Sequence, residues 1–201
     1  MQINYLDHLP GEFRASAVRL FIVALRDKFV PVFGNDKRVQ YVLENSLDPT
    51  HCITAICDEK LVGLIAIGDS KGSFINPTLK TMIRTYGILG GIFRMAGLTI
   101  LHHSTDSDEL YIDGVAVVTE MRGKGVGSQL FAKLEHKAIK DGIQTISLAV
   151  INTNPRAEAL YERLGFVSIK RDNIWPFNHI FKFPFESSVF MVKKIGGDDF
   201  E

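Results

Sequence analysis

A strongly β-branched run, Leu110 to Val118, passes through Thr119-Glu120-Met121 into Arg122-Gly123-Lys124-Gly125-Val126-Gly127-Ser128. A helical pattern then continues to Asp141, with Gly142 where a closing C′ glycine belongs. Three alternating glycines at the mouth of a helix cost roughly 1 kcal/mol each unless something requires them. A helix start exposes unpaired amides and carries about half a positive charge, and glycines let a phosphate approach the backbone closely. The turn is therefore expected to hold a pyrophosphate, with Arg122 and Lys124 adding charge; a tight turn without a ligand is the plain alternative. A Walker loop needs GxxxxGK[ST], but Gly123-Lys124 is followed by Gly125 and the position five before Gly123 is Val118. The dinucleotide fingerprint GxGxxG places its third glycine at Ser128, and no acidic residue ends the next strand, Thr145 to Ile151. A nicotinamide or flavin site stays as the remote alternative.

The rest of the chain reads as one mixed sheet with helices on both sides. Phe13, Ala17, Leu20, Phe21, Ala24 and Leu25 recur at helical spacing, and Asn35 to Leu47 predicts a second helix with Asn35 as N-cap. His51 to Cys57 and Lys60 to Gly68 predict two strands joined at Asp58-Glu59. Residues 70 to 105 break the rhythm with a helix and a glycine-rich apolar stretch, Tyr86 to Gly97. After strand Thr145 to Ile151, a helix from Asn154 to Leu164 has Asn154 as N-cap, Pro155 at its first position and Gly165 closing it. Phe166 to Arg171 and Ser188 to Lys194 predict the last strands.

At 201 residues, 46% of them hydrophobic, the chain has the size of one domain able to bury a full core. Lys+Arg 23 against Asp+Glu 23 leaves a formal charge of zero, so no global field draws it to nucleic acid or an anionic membrane. Cys52 and Cys57 do not form CxxC and fall on opposite strand faces, which predicts two core thiols in a reducing cytoplasm. Met1 to Pro10 carries Asp7 and lacks a long apolar core, so no signal peptide is expected and the mature chain is expected to begin there. Tyr86 to Leu101 is too short for a span of about 20 residues and is interrupted by Arg94.

The turn also matches RxxGxG. With Val115-Ala116-Val117 ending the preceding strand and Asn154-Pro155-Arg156-Ala157-Glu158-Ala159-Leu160-Tyr161-Glu162-Arg163-Leu164-Gly165-Phe166 following, Leu110 to Ile169 resembles the GNAT N-acetyltransferase superfamily. The resemblance implies a single-domain α+β (mixed α/β) fold, with a mostly antiparallel sheet and a splayed strand pair for acyl-CoA. It implies an acetyl-CoA-dependent acyltransferase, with no metal, acting on a primary amine of a small molecule or peptide within a ternary complex. The cofactor would be held by Val115, Ala116, Val117, Arg122, Gly123, Lys124, Gly125, Val126, Gly127, Ser128 and Asn154. A catalytically silent acyl-CoA-binding or partner-binding module on the same fold is the other reading, and a homodimer is left open.

Acyl transfer needs an acid for the leaving thiolate and a route for the amine proton. By the resemblance, Tyr161, seven residues after Asn154, is the acid, against a core-tyrosine alternative. Asp113 is the candidate base: alternation puts it on one face with Tyr111, Val115 and Val117, against the alternative of a strand irregularity with Gly114. Glu109, His102, His103 and His179 are reserves, and a water chain could serve instead. Residues 70 to 105 carry Lys71, Lys80, Arg84 and Arg94 without an acidic residue, which suits a positive, apolar lid over the acceptor mouth, a sheet-edge cover or a dimer contact. Trp175, Phe177, Phe181, Phe183 and Phe185 are expected mostly in the core.

Overall fold

The computed structural model describes residues 2–34 and 37–196. The sheet is built from β1 (Ile3–Leu6), β2 (Cys52–Cys57), β3 (Lys60–Asp69), β4 (Gly72–Ser73), β5 (Glu109–Val117), β6 (Thr145–Ile151), β7 (Val167–Asn173) and β8 (Ser187–Lys194). Its order is β1-β2-β3-β5-β6-β8-β7, with β4 hairpinned onto β3. All pairings are antiparallel except that of β5 with β6. The β2–β3 turn places Asp58 at φ 47° and Glu59 at φ 58°, the left-handed pair that a two-residue hairpin demands, without glycine.

Helices cover both faces. On one lie α1 (Arg14–Ala24), α2 (Arg26–Phe33), α3 (Lys37–Ser46), α4 (Leu79–Tyr86), α5 (Ile88–Leu101) and the short α8 (Phe177–Phe181). They enclose a core that includes Phe21, Phe33, Leu43, Phe74 and Met82. On the other lie α6 (Val126–Lys140) and α7 (Pro155–Arg163), over Ile65, Leu130, Phe131, Leu134 and Ile146. Cys52 packs into the first core and Cys57 into the second, both as free thiols, as alternation requires. Phe181, Phe183 and Phe185 join the first core, whereas Trp175 and Phe177 are exposed.

Among the elements that were not expected are β1 and α2, besides the short β4 and α8 and a second helix within 70 to 105. Strand β1 has four residues, INYL, too few for a period to register, and it forms by adding an edge to β2. Helix α2 contains Pro31, which reads as a breaker; here it lies within the last turns of a short helix that starts anew at Leu25, where ψ turns to 28°. The expected cap Asn35 lies outside the described residues, and α3 runs over Lys37–Ser46. Among the described residues no helix is long and apolar enough to cross a membrane.

Candidate active site

The parallel β5–β6 ladder joins Glu109 through Ile112 to Thr145 through Leu148 and then stops. At that point β5 carries an extra residue against β3: Gly114 pairs with Ala66 and Ile112 with Ile67, leaving Asp113 unmatched. A bulge bends its strand and sharpens its twist. Beyond it β5 stays on β3 and β6 stays on β8, so the facing edges diverge into a cleft.

The bulge also corrects the expected face of Asp113. Tyr111 and Asp113 share the α1–α2 face as alternation predicts, but Val115 and Val117 do not join them. They pack on the α6–α7 side, because Asp113 and Gly114 both turn toward α1 and shift the alternation by one residue. Gly114 is required there: a Cβ would stand 2.5 Å from Leu25 Cδ1 and 3.0 Å from the Phe21 ring. Ala116 follows Gly114 into the first core. The Val118 amide bonds to Val62 on β3, which leaves the Val117 and, two residues earlier, the Val115 backbone directed along the open edge.

A cavity of about 190 Å³ occupies the cleft, with Asp113, Gly114, Val115, Ala149, Asn154 and Tyr161 among its walls. Tyr161 stands half-buried on α7, edge-on to Phe131 and Phe166, and burial pushes its phenol up to about 12. The ring packs against core aromatics, and the side chain also borders the cleft. Asn154 accepts the Ala157 amide at 3.3 Å as the α7 cap. That bond uses its oxygen and leaves its amide protons for the cavity it lines.

Asp113 lines this cavity and two others. One, of about 240 Å³, lies between α1–α2 and α5; the second, of about 320 Å³, lies beside the β3–β4 turn and residues 102–105. Oδ2 of Asp113 is enclosed and has no hydrogen-bond partner. Burial lifts its carboxyl to about 6, against the opposing pull of Lys28, His51 and the Phe74 amide. Lys28 on α2 enters the same cleft and donates to the Ala149 carbonyl at 3.4 Å. Its own pKa is lowered by burial, with the Asp113 charge acting the other way. Sequence reasoning passed over Lys28, whose one signal is a lysine inside the otherwise apolar run Phe29-Val30-Pro31-Val32-Phe33 that it opens.

The reserve residues separate. His102 borders both the 240 Å³ and the 320 Å³ cavities. His103 stacks on Tyr111 and bonds Glu109 Oε1 at 3.2 Å, and Ser147 donates to the same oxygen. Glu109 is thus held by its neighbours, and His179 lies exposed on α8. Of the cations on 70–105, Arg94 folds over the Tyr86 ring at 4.0 Å and bonds Gly90 within its own helix, and Arg84 is exposed. The segment lines the 240 Å³ cavity through Ile75, Met95, Leu98 and Leu101, while neither arginine does.

At the far end of β5 the turn folds as expected. Gly123 and Gly125 adopt φ of 73° and 80°, and Gly125 caps α6 without a side-chain bond. The first amides of α6, from Val126, Gly127 and Ser128, have no preceding turn of helix to bond. A Cβ at Gly123, Gly125 or Gly127 would meet nothing within 4 Å, so the turn is open to a ligand. Lys124 is exposed beside it, and Arg122 Nε donates to Val117 O at 3.1 Å, tying turn to strand. No group of three or more His, Cys, Asp or Glu side chains fit to hold a metal occurs among the described residues.

The strand pair opened by a bulge stands next to a glycine-rich helix start, and sequence comparison places a chain of this build in a family. Residues 19–166 match the acetyltransferase (GNAT) family, and the chain belongs to it. It is 33% identical over 92 residues to the thialysine N-epsilon-acetyltransferase of Bos taurus, covering 45% of this chain and 52% of that one. The chain thus spans about half the length of the curated relatives it matches. An N-acetyltransferase from Staphylococcus aureus shares its fold at a TM-score of 0.66 and 15% identity, over 96% of this chain and 100% of that one. The ribosomal-protein-S18-alanine N-acetyltransferase of Escherichia coli does so at 0.61 and 16%, over 100% and 99%.

Proposed function

We propose that this chain is an N-acetyltransferase that moves an acetyl group from acetyl-CoA to a primary amine by direct attack in a ternary complex. The observation that carries the reading is the cleft at the bulge, where Asp113 and Tyr161 border one cavity whose β5 edge leads to the glycine turn. The amides of Val126, Gly127 and Ser128, with Arg122 and Lys124 beside Gly123 and Gly125, suit a pyrophosphate. The open edge at Val115 and Val117 and the Asn154 amide suit the two sides of a pantetheine arm, whereas Ala116, expected with them, faces β3 and packs into the first core.

Asp113 receives the proton as the amine becomes nucleophilic, a task for which a carboxyl near 6 is better matched than an ordinary one. The amine nitrogen then attacks the thioester carbonyl. As the C–N bond forms and the C–S bond breaks, the Tyr161 phenol gives its proton to the departing sulfur, and the nitrogen gives up its second proton to the phenolate so formed as the amide is completed. A phenol held at about 12 keeps its proton at any working pH.

The test is release of free thiol from acetyl-CoA by the purified chain with a panel of primary amines, with mass spectrometry of the acetylated amine. Thiol release matched by acetylated amine is the expected result. Acetyl-CoA binding without release across the panel would replace the enzyme by a silent acyl-CoA-binding module. Binding of NADH without CoA would replace both.

A further inference from the structure

Two cavities reach Asp113 from outside the splayed strands: the 320 Å³ one has a polar lining that includes Asp69, Lys71 and His103, and the 240 Å³ one is mostly apolar. The apolar walls of the smaller one are Leu25 and Phe29 on one side and Met95, Leu98 and Leu101 of α5 on the other, with the polar groups of Ser73, Asn76, Thr99, His102 and Tyr111 also on its lining. The charges on it sit at one end, where Asp113 and Lys28 border both this cavity and the cleft. Asp113 is the single carboxylate among its lining residues, and Lys28 is a cation facing it.

We infer that the acceptor is a primary amine with an uncharged apolar body, an alkyl or arylalkyl amine, whose body lies between α2 and α5 while its nitrogen meets Asp113. This rests on the acetyl-transfer reading and narrows its acceptor class. The wall that sets the preference comes from α5, in the segment between β4 and β5. Helix α5 is fixed at the required height by its glycines: a Cβ at Gly91 would stand 2.8 Å from the Ile83 amide nitrogen of α4, and one at Gly97 2.8 Å from the Phe181 ring. These two contacts let α5 sink against α4 and α8, bringing Met95, Leu98 and Leu101 over the cavity.

A diamine or polyamine of the same length must place a second ammonium in a cavity that offers it no second carboxylate, beside walls that are mostly apolar. Asp113 is already engaged by the reacting nitrogen, and Lys28 repels a further cation. An unpaired buried charge is the most costly group such a site can accept.

The experiment compares n-hexylamine with 1,6-diaminohexane, which differ in the distal ammonium. Initial rates of thiol release at saturating acetyl-CoA are expected to give hexylamine a kcat/KM at least 100-fold higher. Leu98→Asp, which puts a carboxylate on the α5 wall, is expected to shrink that ratio at least tenfold with the acetyl-CoA KM unchanged. Leu98→Trp, which fills the cavity with hydrocarbon, is expected to raise the hexylamine KM and spare that of methylamine. Equal or reversed preference in the parent chain would overturn the inference, as would a ratio unmoved by both variants. If no amine releases thiol, the transfer reading fails. Calorimetric titration of the two amines into the CoA-saturated chain then decides the cavity alone: hexylamine tighter by tenfold supports it, and equal affinity overturns it.

Discussion

The Lys28 ammonium lies 3.4 Å from the carbonyl of Ala149, across the gap that opens where β5 leaves β6, and it is a main counter-charge to Asp113. The two side chains oppose each other electrostatically. Burial raises Asp113, and the Lys28 charge holds it partly down; the same burial lowers Lys28, and the Asp113 charge holds it partly up. If Asp113 is the base, kcat should rise with pH through about 6. Asp113→Asn should remove that limb and lower kcat at least tenfold. Lys28→Met removes the charge that favours the carboxylate, so the limb should move to higher pH, by about 1 unit. A limb lost in Lys28→Met and retained in Asp113→Asn would transfer the base role to Lys28.

The same carboxyl leaves a mark on stability. An acid with a folded pKa near 6, above its ordinary 3.8, binds a proton more tightly in the folded chain. Stability therefore falls as pH rises from about 4 to about 6, and the full penalty stands above that window. Asp113→Asn lacks it. The variant should gain on the parent between pH 4 and pH 7.5, by about 1 to 3 kcal/mol at most. Urea unfolding at the two pH values checks this, and a pH-independent difference would show that Asp113 is not held neutral by its surroundings.

Tyr161→Phe removes one oxygen while keeping the ring that Phe131 and Phe166 pack against edge-on. Stability should change by less than about 1 kcal/mol. Acetyl-CoA affinity should stay within a few-fold while kcat falls at least tenfold. Calorimetry with acetyl-CoA beside steady-state rates separates these effects, and an unchanged kcat would return Tyr161 to packing alone.

Legibility in the sequence followed the range of the interactions. The turn from Arg122 to Ser128 and the Asn154-Pro155 helix start are decided within a few residues, by left-handed glycines, a cap and a fixed proline φ, so both were read correctly. The face of Val115 and Val117 was not, because alternation continues unbroken on paper through Asp113-Gly114. The bulge exists because Gly114 lets β5 settle on Leu25 and Phe21, residues nearly ninety positions earlier. Lys28 was invisible for a similar reason, since its partner Ala149 is 121 residues away. In residues 70 to 105 the sequence drew attention to Arg84 and Arg94, whereas the structure lines the 240 Å³ cavity with that segment's Ile75, Met95, Leu98 and Leu101. Arg94 of α5 instead lays its guanidinium over the ring of Tyr86, the last residue of α4.

Gly125 and Gly127 make different tests of the pyrophosphate site, although each leaves open space where a side chain would stand. Gly125 sits at φ 80°, so any side chain there strains the α6 cap with or without a ligand. Gly127 lies inside α6 with no such strain, and its Cβ would project into solvent unless a phosphate occupies that space. Gly127→Ala should therefore stabilise the free chain, by up to about 1 kcal/mol, because alanine loses less backbone freedom on entering a helix. It should also weaken acetyl-CoA binding at least tenfold, because the new methyl stands where the phosphate oxygens must approach the Val126, Gly127 and Ser128 amides. Thermal unfolding of the free chain and calorimetry with acetyl-CoA are expected to move in opposite directions. A rise in Tm with acetyl-CoA affinity intact would mean that the pyrophosphate does not lie on the start of α6.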